Sequence, residues 1–265
     1  ALGQRLLVRG KRITPTPSGQ QVLVHVRAAR ALEADFLATL HGTPDVAGGR
    51  AMQTLRVAVN ADSLATWFLP GVRDALKRHR LLLDLVVDDQ DYTLEALKQG
   101  EVVGCVTSVQ AAMPGCVTVP LGTMRYQCVA APALIDRWRL ASGHVSVHRM
   151  LRSPAVVFNR KDGLQDLFLK THFQITHAPY PRHFVPAVDA FECAIAEGLG
   201  WGMVPEVSLN TRLTPEACAP ILPAMWVDVP LVWHHWLKAS NTTQQLTKAI
   251  QRAAADRLQR HLFVS

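Results

Sequence analysis

Two short stretches of the sequence carry side chains suited to recognition chemistry. The first is NADSLATW, residues 60–67, which follows an apolar run and reads as the start of a helix. The free backbone N–H groups of a helix start, joined by the hydroxyls of Ser63 and Thr66, suit a carboxylate. The competing reading is ordinary N-capping by Asp62 or Ser63, and Trp67 serves equally well as core. The second stretch, VVDDQDYT, sets Asp88, Asp89 and Asp91 at the end of another apolar run. A cation leaving water needs an anion to offset its desolvation; carboxylates hold a guanidinium bidentately or an ammonium as a point charge. A solvated turn in which Asp91 caps the next helix is the alternative for at least one of the three. A carboxylate acceptor beside a cation acceptor fits a zwitterion with a positively charged tail. A fainter candidate is Asn159 with Asp162, after the run PAVVFN, together with the turn around Trp201 and Gly202.

The elements that must position these residues alternate along the chain. LLVRGKRITPT reads as two extended arms around Gly10-Lys11, a hairpin. A helix follows from Ser18, its expected N-cap, to Gly42, with Val22, Val26, Ala29, Phe36 and Leu40 on one narrow apolar stripe suited to pairing with a like helix. GTPDVAGGR then breaks all periodicity. Beyond it, TLRVAVN, LLLDLVVDD, VVGCVTS, CVTVPLG and YQCVAA read as strands, with helices in PGVRDALKRH and YTLEALKQG. A second block repeats the alternation: strands PAVVFN, RHFVP, WGMVPE and VPLVWHHWL, helices GLQDLFLKTHF, DAFECAIAEGLG and TTQQLTKAIQRAAADRLQRHL. Strands joined through helices predict a largely parallel, doubly wound sheet, and two such blocks predict two lobes with ligands beyond the carboxyl ends of the strands.

Composition bounds the rest. The chain has 265 residues, 49% apolar and 18% charged, which is the balance of a packed globular fold. No apolar run approaches the roughly 20 residues that span a bilayer, and the start lacks the pattern of a secretory leader, so a cytoplasmic location without membrane contact is expected. Six of the 28 Lys and Arg side chains (Arg5, Arg9, Lys11, Arg12, Arg27, Arg30) fall in residues 1–30, where there is no acid, leaving 22 basic against 21 acidic residues elsewhere. A basic end on a neutral body points to a polyanion, with a solvated basic tail as the alternative, and Arg9, Lys11 and Arg12 are the candidates for phosphate contact. Five cysteines among apolar neighbours, none in a CxxC pair, read as reduced core residues. GxSxG, HExxH and GxxxxGK[ST] are absent, and His234-His235 point to opposite faces of a strand, a poor geometry for one metal. No enzyme, metal or cofactor is expected.

Taken together, LGQRLLVRGKRITPTPSGQQVL resembles the wing and linker-helix start of the LysR-type transcriptional regulators, and the body resembles their effector domain. NADSLATW, GEVVGCVTS and VWHHW resemble the arginine- and lysine-responsive branch, also described as inhibitors of chromosome initiation. The resemblance implies an α/β, two-lobed, type 2 periplasmic-binding-protein-like effector domain at residues 54–265 (lobe I about 54–128 and 230–265, lobe II about 129–229). Before it come a remnant wing of a winged helix-turn-helix at 1–17, a linker and dimerisation helix at 18–41, and a hinge at 42–53. It implies promoter DNA, a basic amino acid, RNA polymerase and further copies of the chain, as dimer or tetramer, as partners. Asp89 aligns with the branch's acidic stretch, whereas Asn159 stands where the branch tends to have an acid. The recognition helix of the family would precede residue 1, so weak DNA binding without sequence preference is expected of this chain. The competing readings are a plain solute-binding protein of similar fold and a natural sensor fragment acting through mixed dimers.

Overall fold

The computed structural model describes residues 3–9, 13–40, 52–87, 90–140, 147–176, 178–209 and 211–259; within helices it leaves out the side chains of residues 28, 31, 32, 34–40 and 90–92. The chain divides into two compact units. Unit 1 is Ala1–Gly122 with Leu231–Asp256, and unit 2 is Thr123–Pro230 with Arg257–Ser265.

Unit 1 opens with the expected hairpin, β1 (Leu7–Arg9) antiparallel to β2 (Ile13–Pro15), with Leu7 opposite Pro15. Helix α1 (Pro17–Leu40) starts one residue before the sequence expectation, and its cap is Thr16 rather than Ser18. Pro17 has the fixed φ of a first helical position, and the Thr16 hydroxyl accepts from the Gly19 N–H at 3.0 Å while donating to the Arg5 carbonyl at 2.7 Å. Gly19 is required here, because a Cβ would lie 1.8 Å from the Leu6 carbonyl oxygen. The hairpin is thereby bolted to α1.

The α/β body of unit 1 runs β3 (Gln53–Val59), α2 (Ala61–Ser63), a π-helical turn (Leu64–Phe68), α3 (Leu69–His79), β4 (Leu81–Val86), α4 (Gln90–Lys98) and β5 (Gly104–Thr107). Strand β3 lies between β4 and β5 and is parallel to both, as βαβ connections require. Its last residues Val57, Ala58 and Val59 are fully buried, an unbroken apolar run matching a strand covered on both faces.

Strand β6 (Cys116–Ala130) continues through Pro120 and Gly122 as one 15-residue strand, where the sequence suggested two. Gly122, at φ +126, absorbs the distortion that a side-chain-bearing residue would resist, and there the chain passes into unit 2. Unit 2 adds α5 (Pro132–Trp138), α6 (Val147–Arg152), β7 (Ala155–Val157), α7 (Leu164–Phe173), β8 (Arg182–Phe184), α8 (Val188–Ala196), β9 (Gly202–Pro205), α9 (Glu206–Leu209) and β10 (Ala219–Pro220). Strand β11 (Trp226–Trp236) returns to unit 1, where α10 (Asn241–Arg257) closes the fold.

The largely parallel sheet of the sequence reading gives way to a mixed one. Strand β11 is antiparallel to β5, and β6 is antiparallel to β9 and β10. Strand–helix alternation reports connections, not the direction in which a returning strand pairs. Unit 1 packs α10 through Leu246, Ala249, Ile250 and Ala253, the helical i, i+3, i+4, i+7 spacing. Gly71 permits the approach of α3, since a Cβ would sit 2.1 Å from that of Ala253. Unit 2 centres on Val129, Val156, Phe191, Ile195 and Val204, each burial contributing about 1.5–3 kcal/mol. All five cysteines are free, and Cys105, Cys128 and Cys218 are buried. Cys193 departs from expectation: it is exposed on α8, because its helical turn buries Phe191, Glu192, Ala194 and Ile195 instead.

Candidate functional site

The carboxyl ends of β3 and β4 lie side by side, Ala58 opposite Val86, so the segments that follow leave the same edge of the sheet. From β3 the chain turns at Asn60, whose extended backbone (φ −64, ψ 148) makes it the N-cap, and the Leu64 N–H closes on its carbonyl at 3.1 Å. This disposes of capping by Asp62 or Ser63, both of which lie inside the helix. The Asn60 side chain makes no capping bond, so the first-turn amides meet no side-chain oxygen from the cap.

Three buried polar atoms within eight residues have no hydrogen-bond partner: Asn60 Oδ1, Ser63 Oγ and Trp67 Nε1. Ser63 is fully buried. A buried hydroxyl or amide oxygen left unpaired costs about 1–3 kcal/mol, so each such group calls for an explanation, of which a bound partner is one. The helix passes at once into a π turn, Leu64–Phe68, which rotates Trp67 and Phe68 into the interior, edge to face at 6.0 Å between ring centroids. Thr66 has a different role. Its hydroxyl donates to the Asp62 carbonyl at 2.6 Å, a bond to the preceding turn, and retains only acceptor capacity. Trp67 is core at 1% exposure, with its indole N–H unsatisfied.

Asp88 and Asp89 lie outside the described residues, as does the side chain of Asp91, which stands in the first turn of α4. Lys11 and Arg12 are likewise outside them, whereas Arg9 is exposed on β1. On α1, Val22 is half-buried, Val26 and Ala29 are exposed, and the side chains of Phe36 and Leu40 are not among those described.

In unit 2 the turn after β7 is closed on itself. Asn159 Oδ1 accepts from the N–H groups of Lys161 (2.8 Å) and Asp162 (3.1 Å). Asp162 takes the N–H groups of Phe158 (3.1 Å) and Leu164 (3.0 Å) on its two oxygens. Burial pushes the Asp162 carboxyl above its ordinary pKa, with those two N–H bonds pulling the other way. Trp201 is completely buried against Tyr180, 5.4 Å between ring centroids, with its indole N–H unpaired. His234 is also interior: Nε2 donates to the Val109 carbonyl at 2.8 Å, leaving Nδ1 to accept from Thr118 at 3.0 Å. His235, its neighbour, bonds the Trp236 carbonyl instead. Among the described residues no cluster of three His, Cys, Asp or Glu is placed to hold a metal.

Asn60 is the residue that sequence reasoning passed over. Its signal was available: a polar side chain at the first position after an apolar strand, directly before the helix.

A family model for the LysR substrate binding domain matches residues 48–255. The HTH-type transcriptional regulator ArgP of Pseudomonas fluorescens strain Pf0-1 is 38% identical over 254 residues, spanning 96% of this chain and 83% of that protein. The crystal structure of ArgP from Mycobacterium tuberculosis is similar with a TM-score of 0.87 at 34% identity, over 98% of this chain and 84% of that one. Full-length LysG from Corynebacterium glutamicum with bound effector Arg is similar with a TM-score of 0.81 at 30% identity, covering 97% of this chain and 85% of that one.

Proposed function

The chain belongs to the LysR-type transcriptional regulators, and we propose that it senses a basic amino acid, arginine or lysine, at the sheet edge of unit 1. The observation that carries this reading is the pair of buried, unpartnered atoms at the start of a helix, Asn60 Oδ1 and Ser63 Oγ. An amino acid presents two matching groups. Its carboxylate accepts from the Ser63 hydroxyl, and its ammonium donates to Asn60 Oδ1. The cationic side chain then lies toward Asp88, Asp89 or Asp91, whose segment leaves the neighbouring strand. The similarity to a LysG that holds arginine supports the same ligand class. The self-bonded Asn159, the helix-bonded Thr66 and the interior Trp67 and Trp201 take supporting roles as scaffold.

The exposed Arg9 of the hairpin takes a DNA phosphate in this reading, with α1 pairing two chains along Val22, Val26 and Ala29. Ligand acts by favouring one of two arrangements of the paired chains. The protein is a regulator rather than an enzyme; no described helix is long and apolar enough to cross a membrane.

Calorimetric titration tests the ligand directly. Arginine or lysine releases or absorbs heat on binding, glutamate gives none, and Ser63→Ala weakens the binding at least about tenfold. Equal heat from glutamate, or an unchanged affinity in Ser63→Ala, overturns the reading.

A further inference from the structure

Helix α1 is two-faced. At 100° per residue, Gln20, Val24 and Arg27 share one side, and Val22, Val26 and Ala29 lie about half a turn round from them. The first side is docked on unit 1. Helix α4 ends in a Schellman motif, with Gly100 left-handed at φ +65, the Gly100 N–H on the Leu97 carbonyl (2.9 Å) and the Glu101 N–H on the Ala96 carbonyl (2.8 Å). That motif leaves the Gln99 carbonyl over, and α1 takes it: Arg27 Nη1 donates to it at 2.6 Å and Gln20 Nε2 at 3.4 Å. Helix α1 packs directly over Gly100, whose Cβ position lies 3.4–3.6 Å from Val24 and the Arg27 stem, an ordinary contact distance, so the left-handed φ rather than lack of space calls for glycine. A cationic guanidinium on the carbonyl end of a helix gains from both the hydrogen bond and the dipole.

The other end of this connection reaches the candidate site. Ala58, two residues before Asn60, packs in one cluster with Ala96 and Leu97 of α4. Beside Arg27 lies a hollow of about 70 Å³, lined in part by Val24, Gly100, Val102 and Trp236, so the contact between α1 and the end of α4 is not packed solid. At its N-terminus, within about three turns of Arg27, α1 holds the hairpin through Thr16 and Gly19.

We propose that Arg27 is a positioning residue that couples the amino-acid site to α1 and its hairpin, by tying α1 to the C-terminal carbonyl of α4. The coupling rests on the ligand reading of Asn60 and Ser63; the tether itself does not. A small displacement of the β3 end moves Ala58 against α4, and the Gln99–Arg27 bond passes it to α1.

Hydrogen exchange on the whole chain, native and with Arg27→Gln or Arg27→Lys, separates the two. Without ligand, Arg27→Gln speeds exchange of the Gly100 and Glu101 amides and of the first turns of α1 at least about threefold, and Arg27→Lys restores most of the protection. Unchanged exchange overturns the tether. With arginine added, the native chain changes exchange in both α4 and α1, whereas Arg27→Gln changes it in α4 alone and binds arginine within about twofold of native. Ligand-induced change in α1 that survives Arg27→Gln overturns the coupling. Absence of heat with both arginine and lysine overturns the ligand reading and the coupling with it, while the ligand-free exchange still judges the tether.

Discussion

The turns that follow β3 and β7 begin alike and end in opposite states. Each leaves a buried strand through an asparagine and enters a helix within a few residues, as NADSL at 60–64 and NRKDGL at 159–164. In unit 2 the oxygens of Asn159 and Asp162 all serve backbone N–H groups of the same turn. In unit 1 the side-chain oxygens of Asn60 and Ser63 serve none. A turn that satisfies itself gains stability and has nothing to offer a ligand. One that keeps buried polar atoms unpaired gives up stability that a ligand can restore. Side-chain type is thus a poor guide to a site, and unmet hydrogen-bonding capacity a better one.

The contrast can be broken most sharply at Asp162. Replacing it with alanine strands two backbone donors, so Asp162→Ala lowers unfolding free energy by about 2–4 kcal/mol in a urea melt while arginine still binds the folded fraction. A loss below about 0.5 kcal/mol removes the claim that this turn is structural. Ser63→Ala gives the mirror result. Stability stays level or rises by up to about 1 kcal/mol, because an unpaired buried hydroxyl is removed, and arginine affinity falls at least about tenfold. A variant that melts markedly lower yet binds normally reverses the assignment.

A pH series sharpens the comparison. The Asp162 carboxyl titrates above its ordinary value of 3.8 because of burial. The folded chain therefore binds this proton more readily than the unfolded one, so the contribution is present below 3.8 and is lost as pH rises through the elevated folded value. Asp162→Asn removes that component, and the difference in unfolding free energy between the two proteins varies with pH only across this window. A difference that stays constant across it contradicts the assignment. The smallest effect is expected at Thr66, whose hydroxyl is bonded to its own helix: Thr66→Val alters stability by about 0.5 kcal/mol or less and arginine affinity by less than about twofold. A tenfold loss of affinity would return Thr66 to the site.

The parts of the fold legible in the sequence were those written in local spacing. The hairpin around residues 10–12, the parallel β3, β4 and β5, and the repeated alternation in unit 2 follow from apolar runs and glycine or proline breaks. Where a local break was overridden by pairing, the reading failed: Pro120 and Gly122 suggested two strands, but β6 continues through both. Cys193 sits among apolar letters and yet points outward, because a helix buries only one side. At the candidate site, NADSLATW was legible as a helix start, while the unpartnered Asn60 oxygen and the bond of Thr66 to its own helix were not. Which oxygen finds a partner depends on where a few backbone N–H groups come to rest.

By itself the sequence determined the order of strands and helices, the basic N-terminal hairpin and the likeness to a regulator family, since these rest on periodicity, charge and short motifs that neighbouring residues carry together. Only the tertiary structure decided that β11 pairs antiparallel with β5, that Arg27 reaches the Gln99 carbonyl 72 positions away, and that Ser63 is buried without a partner. The reason is one of range. Local conformation is set by side-chain sterics over a few residues, whereas hydrogen-bond satisfaction and burial are set by atoms that folding brings in from far along the chain.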